Sequence, residues 1–349
     1  MAYATINKPS DYFNTVLYTG DGTAIGSGGQ SITGVGFQPD WVWTKARSQS
    51  HSHTLYDSSR GVQKPLVTNS TATESTETEG LDSFDSDGFT TGNKDNSGQS
   101  GTTYASWHWK ANGGTTSSNT DGSITSTVQA NTTAGFSVIT WTGSGSAGTV
   151  GHGLGKQVDM VFLKCRTATQ DWRVYSRASM GTSTGDSLYL NLNLAQGSNS
   201  NNINSGSSTT FGLSSGNLSI NATSNTYVAY CFAEIEGYSK FGSYTGNGSS
   251  DGTFVYTGFR PAFIIIKGTN VAQGWWTFDN KRVGYNVDNN LFQAENSASE
   301  NTSDWIDILS NGFKPRSSDN GLNGSYNYIY MAFAENPLVG TNGIPATAR

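Results

Sequence analysis

The chain has 349 residues, of which 34% are hydrophobic and only 13% charged, with 43 glycines and a formal net charge of −6. A mildly acidic balance with scattered basic residues lacks the basic face that direct nucleic-acid binding requires, and no run reaches the eighteen or so apolar residues of a membrane-spanning helix. Nine Trp, 16 Tyr and 16 Phe exclude a disordered polar chain, and two cysteines exclude a disulfide framework.

In chain order, residues 1–12 precede the first recognisable pattern and read as an attachment segment without a basic, apolar leader. A Thr-Gly-x-Gly turn at Thr19–Gly22 then opens a unit that recurs, its counterparts being Thr142–Gly145 and Thr245–Gly248. Each turn is followed by an apolar segment ending in lysine: 39–45, 158–164 and 261–267, ending at Lys45, Lys164 and Lys267. Apolar residues at consecutive positions, Phe263 to Ile266 above all, fit a strand covered on both faces. Twelve residues after each lysine stands Asp57, Ser176 or Asp279, with Arg60, Arg177 or Arg282 close behind. Asp87-Gly88-Phe89 is answered by Asn311-Gly312-Phe313, whereas the middle unit has only Ser215-Gly216-Asn217. Each unit closes on a segment starting at Tyr104, Tyr227 or Tyr328 and carrying Trp107/Trp109, Tyr230/Phe232 or Met331/Phe333.

Between these anchors lie polar hairpin patterns such as Leu188 to Leu194, whose alternation predicts a strand with one apolar and one wet face. No stretch of eleven or more residues keeps a helical period. The expected fold is all-β, three tandem antiparallel β-sandwich modules of jelly-roll or lectin-like type. The expected division is 1–12 attachment segment, 13–115 first module, 116–133 linker with one strand, 134–238 second module, 239–337 third module and 338–349 tail.

Candidate chemistry is sparse. No acid pair recurs in all three units, since Ser176 stands where Asp57 and Asp279 stand elsewhere, so no catalytic residue is assigned. An Asp between an aromatic residue and a turn also suits the binding of loop amides. Asp82, Asp85 and Asp87 before Gly88 look somewhat like a calcium loop but lack its distal glutamate, which leaves an ordinary turn. His51 and His53 have the two-residue spacing of a metal pair on an extended strand, or they sit in a solvated loop. No metal and no cofactor is expected. Trp172, Trp275 and Trp276 could present flat rings to a sugar, although Trp172 and Trp275 both fall eight residues after their lysine, which equally suits a core position. Cys165 and Cys231 are either one disulfide or two free buried thiols.

The phrases Gly36 to Lys45, Asp57 to Gly61, Trp107 to Gly114, Gly122 to Asn131, Ala134 to Val138 and Val150 to Leu154 resemble a family of repeat-containing virion proteins of tailed phages, common in marine and cyanobacterial phages and described as structural or tail-fibre-like. The resemblance spans most of residues 13–337. It implies a non-enzymatic protein on the virion surface, assembled in the host cytoplasm, and no functional residue carries over from it. The expected role is in a tail fibre or its attachment, contributing to host recognition or particle architecture. A capsid decoration protein bound to the shell lattice and a polysaccharide-binding or depolymerising tail enzyme are the alternatives. Expected partners are other virion proteins, a host surface glycan and further copies of the chain, with no nucleic acid and no membrane span.

Overall fold

The computed structural model describes residues 5–181, 186–198, 202–204, 206–282, 286 and 290–337. Runs of β-branched and aromatic residues bounded by Gly, Asn and Ser form strands throughout, as their fit to a pleated, half-buried surface requires. Among the described residues the only α-helix is the four-residue Arg177–Met180, and every pairing between the strands is antiparallel.

Three large sheets carry the recurring segments. The first runs in the order Phe13–Thr19, Thr103–Trp109, Trp41–Ala46, Thr54–Asp57, Leu66–Val67. The third repeats that order with Ser239–Thr245, Asn327–Pro337, Phe259–Gly268, Trp275–Asp279, Phe292–Gln293. The middle sheet has eight strands and the same centre: Phe136–Thr142, Thr226–Phe232, Met160–Cys165, Arg173–Ser176, Asp186–Tyr189. In each, the lysine-bearing strand lies between the closing strand and the strand twelve residues on, in matching register: Trp43 faces Trp107, Phe162 faces Tyr230 and Ile265 faces Met331. Three smaller sheets of three strands accompany them: Gln30–Ile32 with Gly88–Thr91 and Leu81–Asp85, Gly148–Gly151 with Thr210–Leu213 and Ile203–Asn204, and Val255–Tyr256 with Gly312–Pro315 and Ile306–Leu309.

Side chains alternate across a strand, so each large sheet has two faces to cover. One face packs on a small sheet as a β-sandwich. Val42 and Tyr56 meet Ile32, Leu81 and Phe89 in the first, and Ile264, Ile266 and Tyr330 meet Val255, Ile308 and Phe313 in the third. The opposite faces of all three large sheets share one hydrophobic cluster that contains Trp41, Trp109, Phe162, Phe232, Phe263 and Phe333. Its centre is a triangle of the last closing-strand aromatics. The Trp109, Phe232 and Phe333 ring centroids are 6.4, 5.6 and 6.0 Å apart, and each residue is at most 1% exposed. Edge-to-face aromatic contacts at such spacing add about 0.5–1.5 kcal/mol per pair to the area they bury.

The segments between and around the sheets are built in. Residues 117–119 and 126–131, within the stretch predicted as a linker, form strands that extend the middle sheet. Ile6 is buried in the shared cluster and Tyr12 lies edge-on to Tyr238 at 6.1 Å. Residues 338–349, predicted as a tail, fall outside the described residues. The alternating run from Leu188 to Leu194 is strand only as far as Tyr189. The chain turns there because the Asn191 side chain leaves the strand pattern to accept the Trp172 amide N–H at 2.9 Å, and Leu194 is left half exposed.

Candidate functional site

The chemically rich part of the molecule is the seam where the large sheets meet, and the spacing of the recurring residues decides what faces it. Closing-strand residues 107, 230 and 331 point toward a neighbouring sheet. Tyr230 of the middle sheet donates its hydroxyl to Asp57 Oδ2 of the first at 2.7 Å, and Trp107 Nε1 of the first donates to Asp279 Oδ2 of the third at 3.0 Å. Both aspartates also hold the arginine three residues on, at 2.5 Å for Arg60 and 2.6 Å for Arg282, with all four side chains fully buried. At the remaining seam, Ser176 and Met331 stand in these places.

A second contact repeats around the seams with the lysine-plus-two residue. The Glu74 N–H donates to the Arg166 carbonyl at 2.9 Å, that of Glu300 to Arg47 at 2.9 Å, and that of Gln196 to Thr269 at 2.7 Å. In the first two, the side chains close the seam as two-bond arginine–carboxylate pairs, Arg166 with Glu74 and Arg47 with Glu300, at 2.9–3.0 Å. Arg60 and Arg282 complete them at 2.8 and 3.2 Å. Burial alone would raise the Glu74 and Glu300 carboxyls, but the arginine hydrogen bonds and charges hold both below the usual carboxylate range. Two such arginines on one carboxylate make each glutamate a fixed acceptor, suited to joining sheets.

The three repeated lysines face the same shared interior, and each is fully buried. Lys45 Nζ donates to the Ser297 carbonyl at 3.2 Å, Lys164 to the Thr71 carbonyl at 2.8 Å and to Gln170, and Lys267 to Gln273. Desolvation pushes each ammonium down to about 8, with Arg282 adding repulsion at Lys45. Their acceptors are backbone carbonyls: Lys45 and Lys164 each reach a loop of another unit, while Lys267, and Lys164 through Gln170, hold the loop that follows their own strand.

The tryptophans considered as sugar platforms lie in the interior. Trp172 and Trp275 are 0% and 1% exposed, and their indole N–H groups donate across seams to the Val67 and Tyr189 carbonyls at 2.9 and 2.7 Å. Trp276 is 7% exposed and packs against Trp305 at 5.0 Å. A stacking platform needs an open ring face, and these rings have theirs against protein; the core reading of their spacing is the one the structure carries. His53, eight residues after Lys45, occupies the same place in the first sheet and accepts the Trp43 Nε1 hydrogen at 2.9 Å. His51 sits apart from it, half exposed, with its ring on Gln99. Among the described residues no group of three or more His, Cys, Asp or Glu is placed to hold a metal ion. The acidic run is a hairpin: Asp87 accepts the Gly34 and Gly36 amides at 3.0 and 2.6 Å, and Asp85 accepts the Thr90 hydroxyl at 2.8 Å. Cys165 pairs in register with Tyr227, and Cys231 with Val161, four residues along the same ladder. A separation of about 13 Å at 3.3 Å per residue is beyond disulfide reach, and both thiols are free and buried.

A family model described as Domain of unknown function (DUF7483) matches residues 8–337. The chain belongs to this family. No curated protein matches it.

In this DUF7483 chain the signal that sequence reasoning missed was the lysine-plus-two position of Arg47, Arg166 and Thr269. The charge pattern is also uneven. Two seams are closed by arginine–carboxylate networks, while the seam between the middle and third sheets has Thr269 and Gln196 in those places.

Proposed function

We propose that the protein is a non-enzymatic component of a tailed-phage virion surface, in or next to the tail fibre, and that its three large sheets with their small partners are tandem modules wrapped around a pseudo-threefold axis. One observation carries the reading: the Trp109, Phe232 and Phe333 triangle, at which three copies of one strand order meet in a single buried core. One chain thereby presents three related faces about an axis, the geometry required of a part that sits on a threefold or sixfold assembly and must keep its shape there. The resemblance of its phrases to tail-fibre-like virion proteins supports the setting. The use of Asp57, Glu74, Asp279 and Glu300 as arginine-bound joints supports a structural rather than a hydrolytic role for the buried acids.

Localising the chain on intact particles by cryo-electron microscopy tests this. Density of its shape at the tail supports the reading. Density covering the capsid replaces it with lattice decoration, and absence from particles removes the virion role.

A further inference from the structure

We propose that the seam between the middle and third large sheets is a binding site for an uncharged polyhydroxyl ligand, a glycan segment of one or two sugar units. For its biological meaning the inference rests on the surface role proposed above; its geometry stands independently. Grooves of about 480 and 440 Å³ also lie beside Arg166 and Glu300 at the other two seams, and there the bidentate pairs Arg166–Glu74 and Arg47–Glu300 put a charged group in the wall. Here the same backbone contact is made, from the Gln196 N–H to the Thr269 carbonyl, the Thr269 hydroxyl donates to the Asn327 carbonyl at 3.1 Å, and the groove of about 380 Å³ has no charged residue in its wall. That volume lies within the range of small-ligand sites, about 300–1,000 Å³.

The lining is specific in kind. Ser179, Gln196, Ser243, Thr245, Thr269 and Asn327 supply hydroxyls and amides, and no lining residue carries a charge. Tyr244 and Tyr328 close the groove from behind, their rings stacked at 5.1 Å and buried in the core of the third unit. Two lining atoms, Ser179 Oγ and Gln196 Oε1, are buried without a hydrogen-bond partner. A buried polar atom left unpaired is unfavourable, and a ligand hydroxyl donated to Gln196 Oε1 or shared with Ser179 would satisfy it. A charged ligand would lose its hydration and find no counter-charge among these groups. Sugar hydroxyls both donate and accept, matching a wall of hydroxyls and amides.

The test uses the full chain. Glucose, galactose, mannose and N-acetylglucosamine, with their disaccharides, are titrated by saturation-transfer NMR and calorimetry against glucuronate and glucosamine as charged controls. The expected result is binding of at least one neutral sugar, with charged controls weaker by tenfold or more. The double substitution Gln196→Glu with Thr269→Arg installs the pair found at the other seams, and should abolish binding while leaving the thermal midpoint unchanged or raised. Should that variant misfold, Ser179→Ala with Gln196→Ala should weaken binding at least threefold in a folded protein.

No neutral sugar bound at tens of millimolar, equal binding of the charged controls, or binding untouched by either variant would overturn the proposal. The last outcome would move attention to the exposed Phe254 and Tyr256, 46% and 58% accessible on the small sheet of the third unit. Because the titration uses isolated protein, its failure is separable from the outcome of particle imaging.

Discussion

Raising the pH should stabilise this protein between pH 7 and 9.5, against the usual trend of proteins losing stability in mild alkali. Lys45, Lys164 and Lys267 are held at about 8 in the fold, against 10.5 for a free lysine. A lysine whose folded pKa is depressed binds its proton more weakly in the fold than in the unfolded chain, so stability rises wherever the unfolded lysine is still charged and the folded one is not. Integrating between pH 7 and 9.5 gives about 2 kcal/mol per lysine, or about 6 kcal/mol for three. Cys231 and the buried tyrosines oppose this, since burial raises them and folding then disfavours their ionised forms. With free values near 9 for the thiol and 10 for the phenols, they remove about 2 kcal/mol by pH 9.5, leaving a net gain of about 4 kcal/mol. Above about pH 10.5 the lysine gain tapers off and the tyrosines bring stability down. Urea midpoints measured at half-unit steps from pH 7 to 11 should therefore show a maximum between pH 9 and 10.5. Lys267→Met should shrink the rise by about 2 kcal/mol. A midpoint flat or falling from pH 7.5 to 9.5 would refute the reasoning and mean that the ammoniums keep their charge in the fold.

On the acid side, burial holds His108 and His152 at about 4 and His53 well below its ordinary value, so stability present above pH 6.5 is lost as the pH falls toward 4. His108 and His152 together set a slope of up to about 2.7 kcal/mol per pH unit, read from denaturation midpoints at pH 4.5, 5.5 and 6.5. Asp57→Ala and Asp279→Ala should each cost about 3–5 kcal/mol in chemical denaturation, because Arg60 or Arg282 is left buried without its nearest carboxylate. Ser176→Ala, at the matching position of the uncharged seam, should cost less than about 1 kcal/mol. Cys165 and Cys231 should react with a thiol reagent only after unfolding, both at once, and reductant should leave the melting temperature unchanged. Trp109→Ala should lower stability by about 3–5 kcal/mol and quench-protect fewer tryptophans, since it opens the central triangle.

Much of the strand framework is legible in the chain. The segments ending at Lys45, Lys164 and Lys267 are the strands Trp41–Ala46, Met160–Cys165 and Phe259–Gly268, and apolar residues at consecutive positions announce burial on both faces. What they leave open is the identity of the second cover. Val42 and Trp43 are equally apolar, yet Val42 packs against the small sheet of its own unit and Trp43 against the shared centre. Composition cannot separate these, because both environments are dry. The seam chemistry is legible only in part for a different reason: Asp57 and Asp279 recur visibly, but their partners Tyr230 and Trp107 lie more than 170 residues away and are apolar-looking core residues by pattern. Trp172 and Trp275 show the same ambiguity, a ring with a polar edge being equally apt for a sugar or for a carbonyl across a seam.

The uneven charging of the three seams bears on what the molecule can do. Two seams each hold a carboxylate gripped by two arginines, and breaking either would strand buried charge, so these joints are rigid by energetics rather than by area alone. The middle-to-third seam lacks that penalty. It is held by the Gln196 to Thr269 backbone contact, the Trp275 to Tyr189 bond and the common aromatic core, and the ion pair that joins the two units, Lys240 with Glu234, is partly exposed and lies beside the chain connection. Replacing one arginine–glutamate pair by threonine and glutamine keeps the backbone register and leaves one seam groove without a charged group in its wall. The asymmetry thus makes one seam the place where a body otherwise built to hold its shape can accept a ligand.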